Sequence, residues 1–293
     1  MADAAPAPVV QTGLIHEIAD GVWVIPDRRV PLVPNIGIVC GTRAVLVIDT
    51  GMGPANGAAV LEAARGIAGA RKLLLTLTHF HPEHGFGAQA FADAATIVYN
   101  RAQRDELQAK GDAYLALFRG MNAAVRAALE GTVLVMPDIV HEVPGAEIDL
   151  GGRIVALQSR GMAHTRGDQT VWLPQERILF TGDLAEEKCF PIFPWFPPDD
   201  ADIDAAHWID VLADCEDLHP AIVVPGHGAV GDAAILADVR TYLQGIGDAV
   251  RAETARDEAA VIAAIRPRFV ARHPDWIAPE WIDFAVRYYL ARG

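Results

Sequence analysis

Short apolar runs bounded by turn residues dominate the first part of the chain. The segments GVWVIP, NIGIVC and AVLVID are rich in β-branched residues, and Gly41-Thr42 separates the last two. This pattern predicts strands, two of them joined as a hairpin. From Pro54 to about Gly69, alanines and leucines at helical spacing predict a helix. The strand KLLLTLT follows and delivers the chain to His79.

The rest of the chain again alternates predicted strands with predicted helices. After Gly85 we expect a short helix, then the strand TIVYN and one or two helices over residues 101–130. Further strands are predicted for TVLVM, IVHEV, RIVALQS, QTVWLP, RILFTGD and AIVVPG, and helices for residues 201–217, 232–265 and 279–291. Two sheets packed face to face with helices outside suit this order. We expect a flexible tail over residues 1–15, then one domain over 16–293 with a helical extension from about 232.

Composition narrows the choice of partners. The 293 residues include 24 Lys and Arg against 38 Asp and Glu, a net charge of −14 that repels nucleic acid and anionic membranes. No apolar run reaches the ~18 residues of a membrane-spanning helix. The N-terminus lacks the pattern of a secretory signal, although a longer precursor stays open. Three distant cysteines favour a reducing compartment, so we expect a cytoplasmic protein with a small-molecule substrate, either monomeric or a homo-oligomer.

Candidate metal ligands occupy four turns, each directly after a predicted strand. THFHPEHG contains His79, His81 and His84; RGMAHTRGD contains His164, FTGD contains Asp183, and VPGHG contains His227. Imidazole and carboxylate are ligands that Zn²⁺ and similar ions prefer. On a strand, residues two apart point to the same side, so two of these imidazoles can face one ion. Taken singly, each turn is equally compatible with an ordinary polar loop.

Together these turns resemble the metallo-β-lactamase superfamily, whose members carry H-x-H-x-D-H, a histidine in a G-H-T-like turn, T-G-D and a final G-H. The resemblance covers roughly residues 20–230 and implies an αββα sandwich of two mixed β-sheets flanked by helices. It implies one ion bound by His79, His81 and His164, a second bound by His84 and His227, and Asp183 as the bridge. The implied cofactor is Zn²⁺, two per chain, with iron or manganese as alternatives.

One position departs from the family pattern, because Glu83, preceded by Pro82, stands where the family has Asp. The longer carboxylate can reach the second ion at a shifted angle, bind it in a bidentate fashion, or swing out and weaken that site. Glu83 and Asp183 are the candidate catalytic carboxylates, able to move a proton or to orient an ion. Asp49, after AVLVID, matches an Asp that the family places beneath the histidine loop to orient ligands; a turn acid is the alternative.

The segment EEKCFPIFPWFPPDD follows the predicted bridging acid. Its prolines forbid a regular element, and we expect Phe193 and Trp195 to contact substrate, a core-packing loop being the alternative. Lys188 and Arg166 are the cations nearest to the ligand turns and are candidates to bind a substrate carboxylate, or to form surface salt bridges. Cys189 is expected to be a buried thiol.

The resemblance implies a metal-dependent hydrolase of the β-lactamase-like branch, in which hydroxide generated at the metal cleaves an acyl bond of a β-lactam, lactone or thioester. One alternative is a mononuclear iron oxygenase acting on persulfides. Another is a non-catalytic small-molecule binding module whose second metal site is weakened by Glu83. Two zinc ions per chain would favour the hydrolase, and one iron with oxygen uptake would favour the oxygenase.

Overall fold

Two mixed β-sheets face each other in the computed structural model, which describes residues 6–253 and 257–292. The first sheet contains, in spatial order, β1 (His16–Ala19), β2 (Val22–Ile25), β3 (Ile36–Cys40), β4 (Ala44–Ile48), β5 (Lys72–Thr76), β6 (Thr96–Asn100) and β7 (Ile139–His141). Strands β1 to β4 pair antiparallel and β4 to β7 pair parallel. The hairpin expected around Gly41-Thr42 is therefore confirmed.

The second sheet contains β8 (Gly145–Asp149), β9 (Ile154–Gly161), β10 (Asp168–Leu173), β11 (Ile178–Gly182) and β12 (Ile222–Pro225). Its spatial order is β12-β11-β10-β9-β8, and only the β11–β12 pair is parallel. Because β9 and β11 both run antiparallel to β10, and β12 is parallel to β11, the carboxyl ends of β9, β11 and β12 lie at the same end of this sheet.

Helices cover the outer face of each sheet. The first sheet packs against α1 (Gly53–Ala68), α3 (Arg101–Met121) and α4 (Ala123–Ala128), while α2 (Pro82–Gly85) lies at the strand ends. The second packs against α5 (Ala205–Asp217), α6 (Ala234–Ala252), α7 (Glu258–Arg272) and α8 (Trp281–Arg292). The expected αββα sandwich is confirmed, and the C-terminal helices are part of its packing.

Strand β4 shows why this sequence forms a buried central strand. Leu46 and Ile48 point into the core between the sheets, where Phe180 of the second sheet also lies. Val45 and Val47 point the other way, into the layer beneath the helices. Both faces of the sheet are therefore apolar, which explains the uninterrupted run AVLVI.

Two sequence predictions need correction. TVLVM was expected to be a strand, but residues 132–137 have no regular structure, and Leu134 packs against Gly111 of α3. The strand β8, whose sequence GAEID lacks an apolar run, was missed.

Part of the predicted N-terminal tail contacts α1. Residues 1–5 lie outside the described residues, whereas Val10 is buried and its N–H donates to Asn56 Oδ1 of α1 at 2.9 Å. In the described part of the chain, no helix combines the length and apolarity needed to span a bilayer.

Candidate metal centre

The carboxyl ends of several strands bring the predicted ligands together between the two sheets. His79 and His81 follow β5, and His84 lies in the adjoining helix α2. From the second sheet, His164 follows β9, Asp183 follows β11, and His227 follows β12. All are buried except His227, whose side chain is 12% exposed.

The side chains form two groups that share one residue. The first group is His79, His81, His164 and Asp183; the second is Glu83, His84, Asp183 and His227. Within each group the potential ligand atoms lie within 4.8 Å of one another. Two atoms that each lie about 2.0–2.2 Å from a common ion are at most about 4.4 Å apart, so each group has close to the spacing of ligands to one ion. The structure thus brings together every residue that the sequence nominated as a ligand, in the expected grouping.

Asp183 directs one carboxylate oxygen to each group. Its Oδ2 lies 3.7 Å from His79 Nε2 and 3.9 Å from His164 Nε2. Its Oδ1 lies 3.2 Å from His84 Nε2 and 3.7 Å from His227 Nε2. This is the placement expected of a carboxylate that bridges two ions.

Asp49 and Thr78 orient two of the imidazoles. His84 Nδ1 lies 2.8 Å from Asp49 Oδ2, and because a carboxylate only accepts, this nitrogen carries the proton. Thr78 Oγ1 donates to Asp49 Oδ2 at 2.9 Å and so accepts from His79 Nδ1 at 3.1 Å. The Nε2 atoms of His79 and His84 therefore face Asp183. Asp49 is placed as the sequence predicted, beneath the histidine loop.

The imidazoles of the second sheet are oriented in the same way. His164 Nδ1 donates to the Ile192 carbonyl oxygen at 3.1 Å, so its Nε2, which lies 3.3 Å from His81 Nδ1, is the nitrogen that faces the first group. His227 Nδ1 lies 3.8 Å from Asp27 Oδ2. Sequence reasoning missed Asp27, although its position directly after the apolar strand β2 parallels that of Asp49 after β4.

The candidate histidine ligands fall into two classes, those with a lowered pKa and those with a raised pKa. Burial and neighbouring imidazoles hold the pKa of His79 and His81 well below the usual range, and burial lowers the pKa of His164 to about 4. Burial also disfavours a proton on His227, but the Asp183 and Asp27 carboxylates outweigh it and raise its pKa to about 9. The pKa of His84 is raised well above its usual value, because Asp183 and Asp49 outweigh burial.

The residues fit a pair of divalent ions. Several buried atoms have no hydrogen-bond partner: His79 Nε2, His81 Nε2, Glu83 Oε2, His84 Nε2, His227 Nε2 and both oxygens of Asp183. A buried polar atom without a partner costs about 1–3 kcal/mol, and here all of these atoms belong to residues of the two groups. Nitrogen and carboxylate oxygen are the donors of zinc sites, so a cation bound by each group would satisfy several of them.

Glu83 reaches the second group despite its departure from the family pattern. It is 4% exposed, and its carboxylate lies among the ligand atoms of His84, Asp183 and His227. Of the three arrangements considered for the longer acid, the one that swings away from the site is wrong for this structure. Pro82, at the first turn of α2, starts the helix that holds Glu83 inward.

A cavity of about 690 Å³ opens onto these groups, with His81, Glu83 and His227 in its wall. The rest of the wall is largely apolar. It comes from the loop after β2 (Val30, Pro31, Leu32), from α3 (Leu117, Phe118, Met121), from the loop after β11 (Ile192, Pro194, Phe196) and from the C-terminal region (Ile277, Trp281, Phe284). Its size falls within the range of about 300–1,000 Å³ that is usual for small-molecule sites.

The residues that the sequence nominated as substrate contacts do not line this cavity. Phe193 is fully buried and packs on Trp208 and Tyr288, because the loop turns it into the core beneath α5 and α8. Trp195 packs edge-on against Tyr288. The core-packing alternative therefore describes both aromatic residues.

The two nominated cations also point elsewhere. Lys188 forms a surface ion pair with Asp275 at 2.9 Å. Arg166 lies 3.5 Å from Asp202 and is largely exposed. Neither side chain is in the cavity wall. Trp281 and Phe284 of α8, which are in the wall, were missed because only the tertiary fold brings them there.

Comparison with known proteins identifies the family of this chain. A profile of the metallo-beta-lactamase superfamily matches residues 29–227. Acyl-coenzyme A thioesterase MBLAC2 from Bos taurus is 27% identical over 235 residues, covering 72% of this chain and 79% of the relative. The Gallus gallus protein of the same name is 27% identical over 212 residues, covering 66% and 72%.

Solved structures share the fold. A metallo-beta-lactamase from Pontibacter korlensis has a TM-score of 0.61 at 20% identity, covering 78% of this chain and 98% of its own. The DIM-1 metallo-beta-lactamase has a TM-score of 0.63 at 16% identity, covering 82% and 99%. The profile spans well over half of the chain and ends at the last candidate ligand, His227. The chain therefore belongs to the metallo-β-lactamase superfamily.

Proposed function

We propose that this chain is a metal-dependent hydrolase that cleaves thioesters of apolar acyl groups. The observation that carries the proposal is the apolar cavity that opens onto the candidate metal centre. His81, Glu83 and His227 share its wall with the apolar side chains of α3 and α8. An acyl chain in this cavity would place its carbonyl beside the ligand atoms. The two relatives named acyl-coenzyme A thioesterase favour a thioester over a β-lactam or a lactone.

The reaction joins the oxygen of water to the carbonyl carbon and breaks the carbon–sulfur bond, giving a carboxylic acid and a thiol. Zn²⁺ or a similar ion bound by the two groups would supply hydroxide at neutral pH and polarise the carbonyl. Glu83 is in the cavity wall, whereas Asp183 is not. Of the two candidate catalytic carboxylates, Glu83 is therefore the one that a substrate in the cavity would contact.

Apolar residues at the mouth of the cavity suit the same substrate class. Leu117, Met121 and Ile277 are 52%, 54% and 46% exposed, which is unusual for large apolar side chains. An acyl chain entering the cavity would cover them and gain the free energy of removing apolar surface from water. Trp281 and Phe284 of α8 form the opposite wall.

A hydrolysis screen tests the function. Protein loaded with zinc would be assayed on a thioester, a lactone and a β-lactam that carry matched apolar groups, with metal content measured on the same sample. We expect the thioester to give the highest kcat/KM and about two metal ions per chain. Faster β-lactam or lactone cleavage overturns the substrate assignment. No turnover of any class with zinc or manganese supports a binding module, and one iron with oxygen uptake supports the oxygenase.

The cavity wall can be tested separately. Trp281→Ala should lower kcat/KM for a long acyl thioester about tenfold more than for the acetyl thioester, because burying a large apolar group contributes about 1.5–3 kcal/mol. Trp195→Ala is the matched control, since Trp195 is half-buried but outside the cavity. Trp195→Ala should leave the dependence of kcat/KM on the length of the acyl group unchanged. If Trp281→Ala lowered kcat/KM equally for both substrates, the acyl chain would not contact this wall.

A further inference from the structure

A second cavity, of about 420 Å³, lies beside the first. We call it the arginine groove; its wall is formed by His16, Pro26, Asp27, Arg28, Arg29 and Gly228 to Val230. It shares Asp27 and Arg29 with the apolar cavity. The two cavities therefore meet at the turn after β2, next to the candidate ligand His227.

The charges of the arginine groove are largely balanced within the protein. The groove presents two arginines and one carboxylate, that of Asp27. Both oxygens of Asp27 are already engaged, accepting from the backbone N–H of Arg29 at 2.6 Å and of Gly228 at 2.8 Å. Glu187 adds a second carboxylate, because it accepts from the backbone N–H of Ala229 at 3.2 Å. This patch of charges therefore holds as many carboxylates as arginines.

Arg28 is the cation left free in this patch. Arg29 pairs with Glu187 at 2.5 Å. Arg28 is exposed, and within residues 6–253 and 257–292 its side chain has no ion pair or hydrogen bond. A guanidinium offers five donors in a planar fork that matches phosphate, and no protein group takes them here.

The turn that carries Arg28 is fixed relative to the metal centre. Asp27 N–H donates to Asn35 Oδ1 at 2.8 Å. Asn35 Nδ2 in turn donates to the carbonyl oxygens of Pro225 and Gly228, at 2.9 Å and 2.8 Å, on either side of His227. The backbone that carries Arg28 is therefore held close to the candidate ligand His227.

We propose that the arginine groove binds the phosphate-bearing part of the thiol leaving group, with Arg28 as its anion contact, while the acyl chain occupies the apolar cavity. The proposal rests on the proposed thioesterase function and extends it, because it names the substrate as a thioester of a phosphorylated thiol such as coenzyme A. A thioester between the two cavities would place its carbonyl carbon next to His227 and Glu83. Arg28 would also offset part of the repulsion between an anionic protein and an anionic substrate.

Paired substrates test the proposal. The same acyl group would be presented as its coenzyme A thioester and as its N-acetylcysteamine thioester, which lacks phosphate. Arg28→Glu should lower the ratio of the two kcat/KM values at least about tenfold, mainly through KM for the coenzyme A thioester, since Arg28 would donate charge-assisted hydrogen bonds to the phosphate. Arg65→Glu is the matched control, because Arg65 is exposed on α1, unpaired among the described residues, and outside both cavities.

Calorimetric titration with coenzyme A itself separates this proposal from the proposed function. We expect the metal-loaded protein to bind coenzyme A, Arg28→Glu to weaken binding at least about tenfold, and Arg65→Glu to leave it unchanged. Equal effects of the two variants, or an unchanged ratio of kcat/KM values with Arg28→Glu, would overturn the groove assignment. Binding that depends on Arg28 without any thioester turnover would support the groove and overturn the hydrolase.

Discussion

The ring of Tyr114 stacks on the imidazole of His81, with centroids 5.3 Å apart and planes inclined by 21°. Tyr114 donates its phenolic hydrogen to Asp200 Oδ2 at 2.6 Å, which fixes the ring. Asp200 Oδ1 accepts from Lys110 Nζ at 2.9 Å. A candidate metal ligand is thus held in orientation by a buried polar network that the sequence did not reveal.

Removal of this stacking should weaken metal binding. We expect Tyr114→Ala to lower metal affinity about 10–100-fold, the usual range for groups that orient ligands. Tyr114→Phe keeps the ring and loses only the hydrogen bond to Asp200, so its loss should be smaller. Competition with a chromophoric chelator measures both. Equal losses in the two variants would show that the hydroxyl, and not the stacked ring, controls His81.

Lys110 should be a major contributor to stability. Its Nζ lies 2.9 Å from Glu106, 2.9 Å from Asp200 and 2.8 Å from Asp202, and its side chain is 16% exposed. Lys110→Met leaves Glu106 and Asp200 without their counterion, and breaking a buried pair costs about 3–5 kcal/mol in the free energy of unfolding. Urea denaturation measures that loss.

The control for Lys110 is a surface ion pair on the same helix. Arg101 pairs with Glu142, and both side chains are more than half exposed. Arg101→Met should therefore cost less than about 1 kcal/mol. Similar losses for the two variants would mean that the Lys110 network behaves like a surface network.

Much of the metal centre could be predicted because its ligands follow strand ends, where apolar runs give way to histidine. The supporting network was harder to find, although one signal was present. Glu106, Lys110 and Tyr114 are spaced by four residues and so share one face of α3. The cavity wall gave no comparable signal. Phe193 and Phe284 are equally apolar in sequence, and only tertiary packing turns the first into the core and the second into the cavity.

Glu83 should be required for the second ion. Glu83→Gln removes the charge of a carboxylate that lies among the ligand atoms of the second group, and we expect occupancy to fall from about two ions per chain toward one. Glu83→Asp withdraws the oxygens by one methylene and should lower occupancy and hydrolysis rate together. Metal analysis after dialysis measures occupancy. A rise in both quantities with Glu83→Asp would mean that glutamate weakens the second site.

Metal binding should strengthen with rising pH. In the metal-free protein, the pKa of His227 is about 9 and that of His84 is well above its usual value, so both carry a proton at neutral pH. An ion must displace these protons. At pH values below the pKa of each group, the apparent metal affinity should therefore rise about tenfold per pH unit for each proton displaced. Chelator competition at several pH values measures the slope. His227→Asn should lower this slope by about one proton per bound ion. His219→Asn, at an exposed position, should leave the slope unchanged.

Stability of the metal-free protein should change with pH in the opposite direction. Because the pKa of His227 is raised on folding, its contribution is fully present below its unfolded value of about 6.5 and is lost as pH rises through about 9. Thermal unfolding in the presence of a chelator should therefore show Tm falling between these pH values. Zinc should reverse that trend, since ion binding stabilises the native state more strongly as pH rises. If Tm of the metal-free protein did not fall over this range, the proton on His227 would not be compensating the buried carboxylates of Asp183 and Asp27.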